Sequence, residues 1–300
     1  MIDHRRSLPP GAVFERRNGL RTVHWTGGAA GSLLFLGGRG DFIEKYAESY
    51  WDWRAQGFAL ASFDWRGQGG SGRLGDGDAG HVDSFDVWLA DLADQVAWFQ
   101  ATSPPPWFVV AHSMGGHLLL RHLASAPGRF ARAVLLAPML GLRAAPLGPV
   151  VTRAVARIAV ALGLGKSYAP MQGPYGAVQR SAARGALLTS DAARFSDEGW
   201  WLDQHPELAL GGVSYGWLAA AFASLDVIGT PGLLERITLP LLVLVPERER
   251  LVDNGATARD VARVAGATLA TIAGASHELL REVDPIREAV LERIEGFLRG

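Results

Sequence analysis

Two alternating segments open the chain, Val13–Arg17 and Arg21–Trp25, with Asn18-Gly19 between them; that dipeptide suits a two-residue turn and predicts an antiparallel hairpin. The period then changes. Unbroken apolar runs of the kind buried on both faces follow at Ser32–Leu36, Phe58–Phe63, Trp107–Ala111 and Ala131–Leu136, and helical patterns lie between them at Phe42–Gln56, Val87–Phe99 and Gly115–Ala126. Alternation of this kind implies βαβ units, hence a mostly parallel sheet with helices on both faces.

Residues 141–230 break the rhythm with helical patches rich in Gly and Ala, the pair Trp200-Trp201, and Trp217 and Phe222 near helical spacing. From Leu239-Pro240 the sheet pattern resumes: a strand at Leu241–Val245, a helix at Gly255–Ala265, a strand at Thr268–Ala273 and a closing helix at Pro285–Arg299. Residues 1–140 and 231–300 therefore read as one α/β core, and 141–230 as a helical lid inserted over the carboxyl ends of the strands, where open α/β sheets bind ligands. Within that lid, Val150–Leu162 sets Val151, Val155, Ile158 and Leu162 on one face, with Arg153 and Arg157 one turn apart. Packing of this face on the core is the expectation, and contact with an anionic lipid surface is the other use it allows. The lid's Trp200, Trp201, Trp217 and Phe222 are expected to serve as core, the alternative being the wall of an acyl channel.

Composition narrows the chemistry. The 300 residues are 48% hydrophobic and 20% charged, which fits a large α/β domain, and 29 Lys and Arg against 30 Asp and Glu leave no basic footprint for nucleic acid. Zero cysteines rule out a disulfide framework, a thiolate zinc site, an iron–sulfur cluster and a cysteine nucleophile. Metal-ligand motifs are missing too, so neither a metal nor another cofactor is expected. No stretch approaches the ~18 apolar residues of a membrane span. The first ten residues carry charges with no apolar segment behind them, so a cytoplasmic location is expected.

A nucleophile elbow needs small residues two before and two after its serine, because the turn from strand to helix is tight. Ser113, Ser167 and Ser214 meet that rule, and only Ser214, in Gly212-Val-Ser-Tyr-Gly216, matches a strict G-x-S-x-G. Context favours Ser113: Trp107–Ala111 supplies a strand before it and Gly115–Leu123 a helix after it, whereas neither rival follows a strand. The helix aims its first amides at that serine, so the Met114 N–H can bind a developing oxyanion. The second donor is expected from the loop after the first parallel strand, Leu36-Gly37-Gly38-Arg39-Gly40, at the Arg39 N–H.

Val109-Val-Ala-His-Ser-Met-Gly-Gly116, Asp64-Trp-Arg-Gly-Gln-Gly-Gly-Ser71 and Gly274-Ala-Ser-His-Glu278 together resemble the lysophospholipase and monoacylglycerol-lipase branch of the α/β-hydrolase serine hydrolases. The likeness runs from about residue 10 to the C-terminus and departs from the family at three points. Ala111 replaces the first elbow glycine, Gly37 stands where a histidine often precedes the oxyanion glycine, and Gln68 replaces the histidine of the usual R-G-H-G turn. The Asp64–Ser71 segment itself lacks phosphate-loop spacing and reads as a turn held by Asp64 and Arg66.

In this fold the order is serine, acid, histidine, with the base on the loop after the last strand. Beyond the elbow helix only His205 and His277 remain, and His205 falls in the lid, so His277 is the candidate base. His112 and His117 read as structural. The loop after Leu241–Val245 offers Glu247, Glu249 and Asp253; by the family's spacing Glu249 is the triad acid, with Asp253 as the alternative. The resemblance implies hydrolysis of a small-molecule carboxylic ester or lipid with an apolar acyl group. The rival readings are an aminopeptidase or amidase on the same triad, whose substrate amine would need a lid acid such as Asp191, Asp197, Glu198 or Asp203, and a catalytically silent binding protein.

Overall fold

The computed structural model describes residues 2–126 and 129–300. The opening hairpin forms as β1 (Val13–Arg17) and β2 (Leu20–Trp25), joined through Asn18 and Gly19 at positive φ. Then come β3 (Ser32–Leu36), α1 (Ala47–Ala55), β4 (Ala59–Phe63), α2 (Phe85–Thr102), β5 (Trp107–His112), α3 (Met114–Ser125) and β6 (Phe130–Leu136). After an insertion holding α4 (Gly148–Ala161), α5 (Ala182–Leu188), α6 (Ala192–Gln204) and α7 (Tyr215–Ile228), the core closes with β7 (Leu241–Pro246), α8 (Asn254–Val261), β8 (Ala267–Ile272) and α9 (Asp284–Arg299).

The eight strands lie in the order β1-β2-β4-β3-β5-β6-β7-β8; β1 and β2 are antiparallel to their neighbours and the rest run parallel. Strand periodicity divides each buried run between two cores. Leu34, Leu36, Val109, Ala111, Ala133 and Leu135 face α2 and α3, while Leu33, Phe35, Phe108, Val110, Val134 and Leu136 face α1 and α9. With both faces covered, the loops after β3, β5, β7 and β8 gather at one edge, the carboxyl ends of the parallel strands.

The α4 segment departs from expectation. Only Ala156 and Ala159 are buried, while Val150 is 80%, Ile158 62% and Leu162 72% exposed. Its small residues let α4 lie close to α7, so its larger apolar side chains turn outward. Trp201 instead packs with Phe42, Ala47, Leu202 and Leu208, and Trp217 joins the core beside Phe85.

Candidate active site

β5 ends at His112, and the chain turns at Ser113 with φ 50° and ψ −114° before entering α3. A non-glycine residue in that region is strained and is held only by its surroundings. Here the Ser113 N–H donates to the Leu136 carbonyl (2.9 Å) and the Met139 N–H to the Ser113 carbonyl (3.0 Å). Gly115 has to be small: a Cβ there would stand 2.5 Å from the Gly37 carbonyl oxygen. Ser113 Oγ lies 3.0 Å from His277 Nε2, and His277 Nδ1 lies 2.7 Å from a carboxylate oxygen of Glu249. Residues 164 positions apart thus meet because the loops after β5 and β8, two parallel strands of one sheet, leave it at the same edge.

Glu249 uses both oxygens. One faces His277, and the other accepts the Leu251 (2.7 Å) and Val252 (3.1 Å) N–H groups. Burial alone would raise its pKa, but His277 and those two amides hold it below the usual carboxylate range. Asp253 lies elsewhere: its side chain accepts the Gly255 N–H (2.8 Å) and caps α8. Glu247 takes the Gly274 N–H at 2.8 Å.

The loop after β3 lies against the elbow, for a Cβ on Gly38 would be 3.0 Å from the Ser113 Cβ. The Gly38 N–H is held by Asp41 (2.6 Å) and the Gly40 N–H by the side-chain oxygen of Gln68 (2.5 Å). Among the described residues neither the Arg39 N–H nor the Met114 N–H, the first amide of α3, has an acceptor. The Arg39 side chain runs toward the insertion, donating to the Gly211 carbonyl and lying 5.9 Å from the Trp217 ring centre.

The Asp64–Ser71 turn braces this loop from behind, with one correction to its anchors. Asp64 pairs with Arg21 (3.1 Å) and accepts the Ile43 and Gly70 N–H groups, whereas Arg66 pairs with Asp91 (2.6 Å). Burial raises Asp64 to about 6 despite Arg21 beside it.

The rival serine and the other histidines have separate roles. Ser214 is fully buried, caps α7 through the Trp217 N–H (3.0 Å) and bonds His81 Nδ1 (2.8 Å), whose other ring nitrogen reaches Asp83 (3.1 Å). The backbone of Ser214 has φ −84°, without the strain of an elbow. His117 spans from the Met139 carbonyl (3.0 Å) to Ser224 (2.5 Å), and His205 lies beside Glu207 (3.4 Å). His112 packs edge-on against His277 with ring centres 4.9 Å apart, and burial together with His277 pushes its pKa down to about 4. The four acids an amine-binding site would draw on are all paired with cations: Asp191 with Arg194, Asp197 with Arg6, Glu198 with Lys45 and Arg281, and Asp203 with Arg180. Sequence reasoning missed Asp41 and Lys45; lying on the turn after the oxyanion glycines was the one signal they carried.

This sheet order, with a serine on a strained turn after β5, defines an α/β hydrolase. The chain belongs to the serine aminopeptidase S33 family of hydrolases, whose family model matches residues 27–284. It is 32% identical over 278 residues to lysophospholipase L2 of Escherichia coli strain K12, covering 88% of this chain and 79% of that protein. A probable lysophospholipase L2 of Haemophilus influenzae is 28% identical over 271 residues, covering 89% of this chain and 83% of the other. Among solved structures, a soluble variant of monoglyceride lipase from Saccharomyces cerevisiae superposes with a TM-score of 0.74 at 16% identity, covering 99% of this chain and 97% of that one.

Proposed function

We propose that the protein is a serine hydrolase that cleaves carboxylic esters with an apolar acyl group, of the lysophospholipid or monoacylglycerol kind. The observation that carries this reading is the hydrogen-bonded chain from Ser113 through His277 to Glu249, at 3.0 and 2.7 Å. The lysophospholipase relatives support the substrate class. Ser113 Oγ attacks the acyl carbon as its proton passes to His277 Nε2, and the Met114 and Arg39 N–H groups take up the negative charge on the carbonyl oxygen. His277 returns the proton to the departing alcohol, leaving an acyl-enzyme. A water then gives its proton to His277 and its oxygen to the acyl carbon, and the acid leaves as Ser113 recovers its proton. Glu249 fixes the imidazole tautomer and stabilises the imidazolium. No cofactor enters any step.

In this reading residues 141–230 are the lid, and the outward face of α4 is the part that meets lipid. Val150, Val151, Ile158 and Leu162 are all exposed there, and Leu164 and Met171 continue the surface. Arg157 and Lys166 lie on the same stretch with no carboxylate partner among the described residues, which suits an anionic bilayer surface.

The test is intact-mass analysis after treatment with a fluorophosphonate, followed by p-nitrophenyl esters of graded chain length. One adduct is expected on the wild type and on Ser214→Ala and none on Ser113→Ala, whose ester hydrolysis falls by about 10⁴-fold or more. An adduct that persists in Ser113→Ala overturns the assignment.

A further inference from the structure

Lys45 is one of only two lysines in a chain that otherwise carries its positive charge on arginine. It follows the oxyanion loop, and its side chain is only 5% exposed. Its ammonium meets three carboxylates from three separate parts of the molecule: Asp41 at 2.9 Å, Glu198 of α6 at 3.0 Å and Glu278 at 2.7 Å. Arg281 adds a second cation, reaching Glu198 at 3.0 Å and Glu278 at 2.8 Å. A compact ammonium turns its three donors toward carboxylates that do not share a plane, whereas a guanidinium's donors are fixed in one plane.

Each of these carboxylates belongs to something that matters for the proposed chemistry. Asp41 gives one oxygen to Lys45 and the other to the Gly38 N–H (2.6 Å) and the Tyr46 hydroxyl (2.9 Å). Asp41 therefore fixes the loop that presents the Arg39 amide to Ser113. Glu278 directly follows His277, and its N–H donates to the Leu188 carbonyl at the end of α5 (2.7 Å). The same loop is tied to the insertion by Thr189 Oγ1 donating to the Arg281 carbonyl (2.7 Å) and by the Ser190 N–H donating to Glu282 (3.1 Å). Glu198 brings in α6.

We propose that Lys45 is a positioning residue, a single buried ammonium that holds the oxyanion loop, the His277 loop and insertion helix α6 in one register. The inference rests on the serine-hydrolase reading above, since the two loops it joins carry the donors and the base of that mechanism. Burial would raise the carboxylates, but Lys45 holds both Asp41 and Glu278 down to about 2, each oxygen committed as an acceptor. Without Lys45, Glu198 and Glu278 share Arg281, and Asp41 loses its ion pair. The carboxylates must then separate or take up protons, and the Gly38–Asp41 contact loosens as they do. Misplacement of about 1 Å at an oxyanion donor is enough to cost about 10²-fold in rate.

The experiment compares wild type, Lys45→Met, Lys45→Arg and Glu198→Gln on a short water-soluble p-nitrophenyl ester, with melting temperature and pH profile measured alongside. Lys45→Met is expected to lower kcat by about 100-fold with KM within about threefold. Its kcat–pH profile should gain a second acid limb, because the carboxylates around it, Asp41, Glu198 and Glu278, titrate upward once Lys45 is gone and Arg39, Arg281, Tyr46, Tyr175, His112 and His277 are the groups left facing them. Lys45→Arg, which keeps the charge but not the shape, should recover part of the lost kcat. A folded Lys45→Met protein with a lowered melting temperature, kcat within threefold of wild type and an unchanged pH profile overturns the proposal. Should Lys45→Met fail to fold, Glu198→Gln decides: a severalfold fall in kcat at constant KM supports the interlock, and an unchanged kcat overturns it. Failure of the hydrolase reading is read separately, as wild-type protein that forms no fluorophosphonate adduct at Ser113.

Discussion

Glu249 divides its oxygens between two partners, one meeting His277 Nδ1 and the other accepting the Leu251 and Val252 amides, which hold the carboxylate against the imidazole. Its neighbour in sequence, Asp253, has an equally acidic side chain and spends it on the Gly255 N–H. The two therefore make opposite predictions. Glu249→Gln is expected to reduce kcat by about 10³–10⁴-fold, since an amide neither stabilises the imidazolium nor selects the working tautomer. Asp253→Ala should leave kcat nearly intact and cost about 1 kcal/mol of stability for the lost cap, read as a lower urea midpoint. A large kcat loss in Asp253→Ala with little in Glu249→Gln would move the acid's role to Asp253.

Among the elements, α7 shows how a pattern can be right and its use wrong. Gly212-Val-Ser-Tyr-Gly216 satisfies the elbow consensus better than the segment around Ser113, which has Ala111 in the first small position. The glycines at 212 and 216 are small for another reason: a Cβ on Gly216 would stand 2.4 Å from the His81 ring, and one on Gly212 2.6 Å from the Gln172 side chain. Close packing of the insertion on the core, with Ser214 capping α7 and bonding His81, accounts for the motif. Ser214→Ala should then cost about 1–3 kcal/mol, because it removes a cap and strands a buried ring nitrogen. The melting temperature should fall while ester hydrolysis at low temperature persists; loss of activity in a fully folded variant would contradict that assignment.

At the scale of the whole molecule, the insertion offers two unlike surfaces. Its inner side is stitched to the His277 loop through Leu188, Thr189 and Ser190, and its outer side carries the bare apolar face of α4. Each Val, Ile or Leu side chain moved from water into lipid contributes about 1.5–3 kcal/mol. Val150→Ser/Ile158→Ser/Leu162→Ser should therefore weaken binding to anionic phospholipid vesicles at least about tenfold. Since all three side chains are mostly exposed, stability should change by about 0.5 kcal/mol or less per site. Vesicle binding equal to wild type would remove α4 from the proposed lipid contact.

What was legible in the sequence follows from the range of the forces involved. Strand and helix periods, the Asn18-Gly19 turn and the strand–serine–helix context of Ser113 are local patterns, and the observed elements lie within a few residues of them, with the Gly255–Ala265 helix ending early at Val261. Chain order in this fold singled out His277. Other choices depended on where a side chain finds its partner in space. Family spacing favoured Glu249 and kept Asp253 as the alternative, and in the fold Glu249 meets the imidazole while Asp253 meets a helix terminus. Arg66, part of the turn it was expected to hold, found Asp91 instead, while Arg21 reached Asp64 from the neighbouring strand. Amphipathic spacing could not tell which face of α4 would be covered, because small Ala156 and Ala159 allow closer helix contact than its larger residues do. The Lys45 cluster draws on residues 41, 198 and 278, joined by no periodicity, so only the folded chain brings that charge to its three partners.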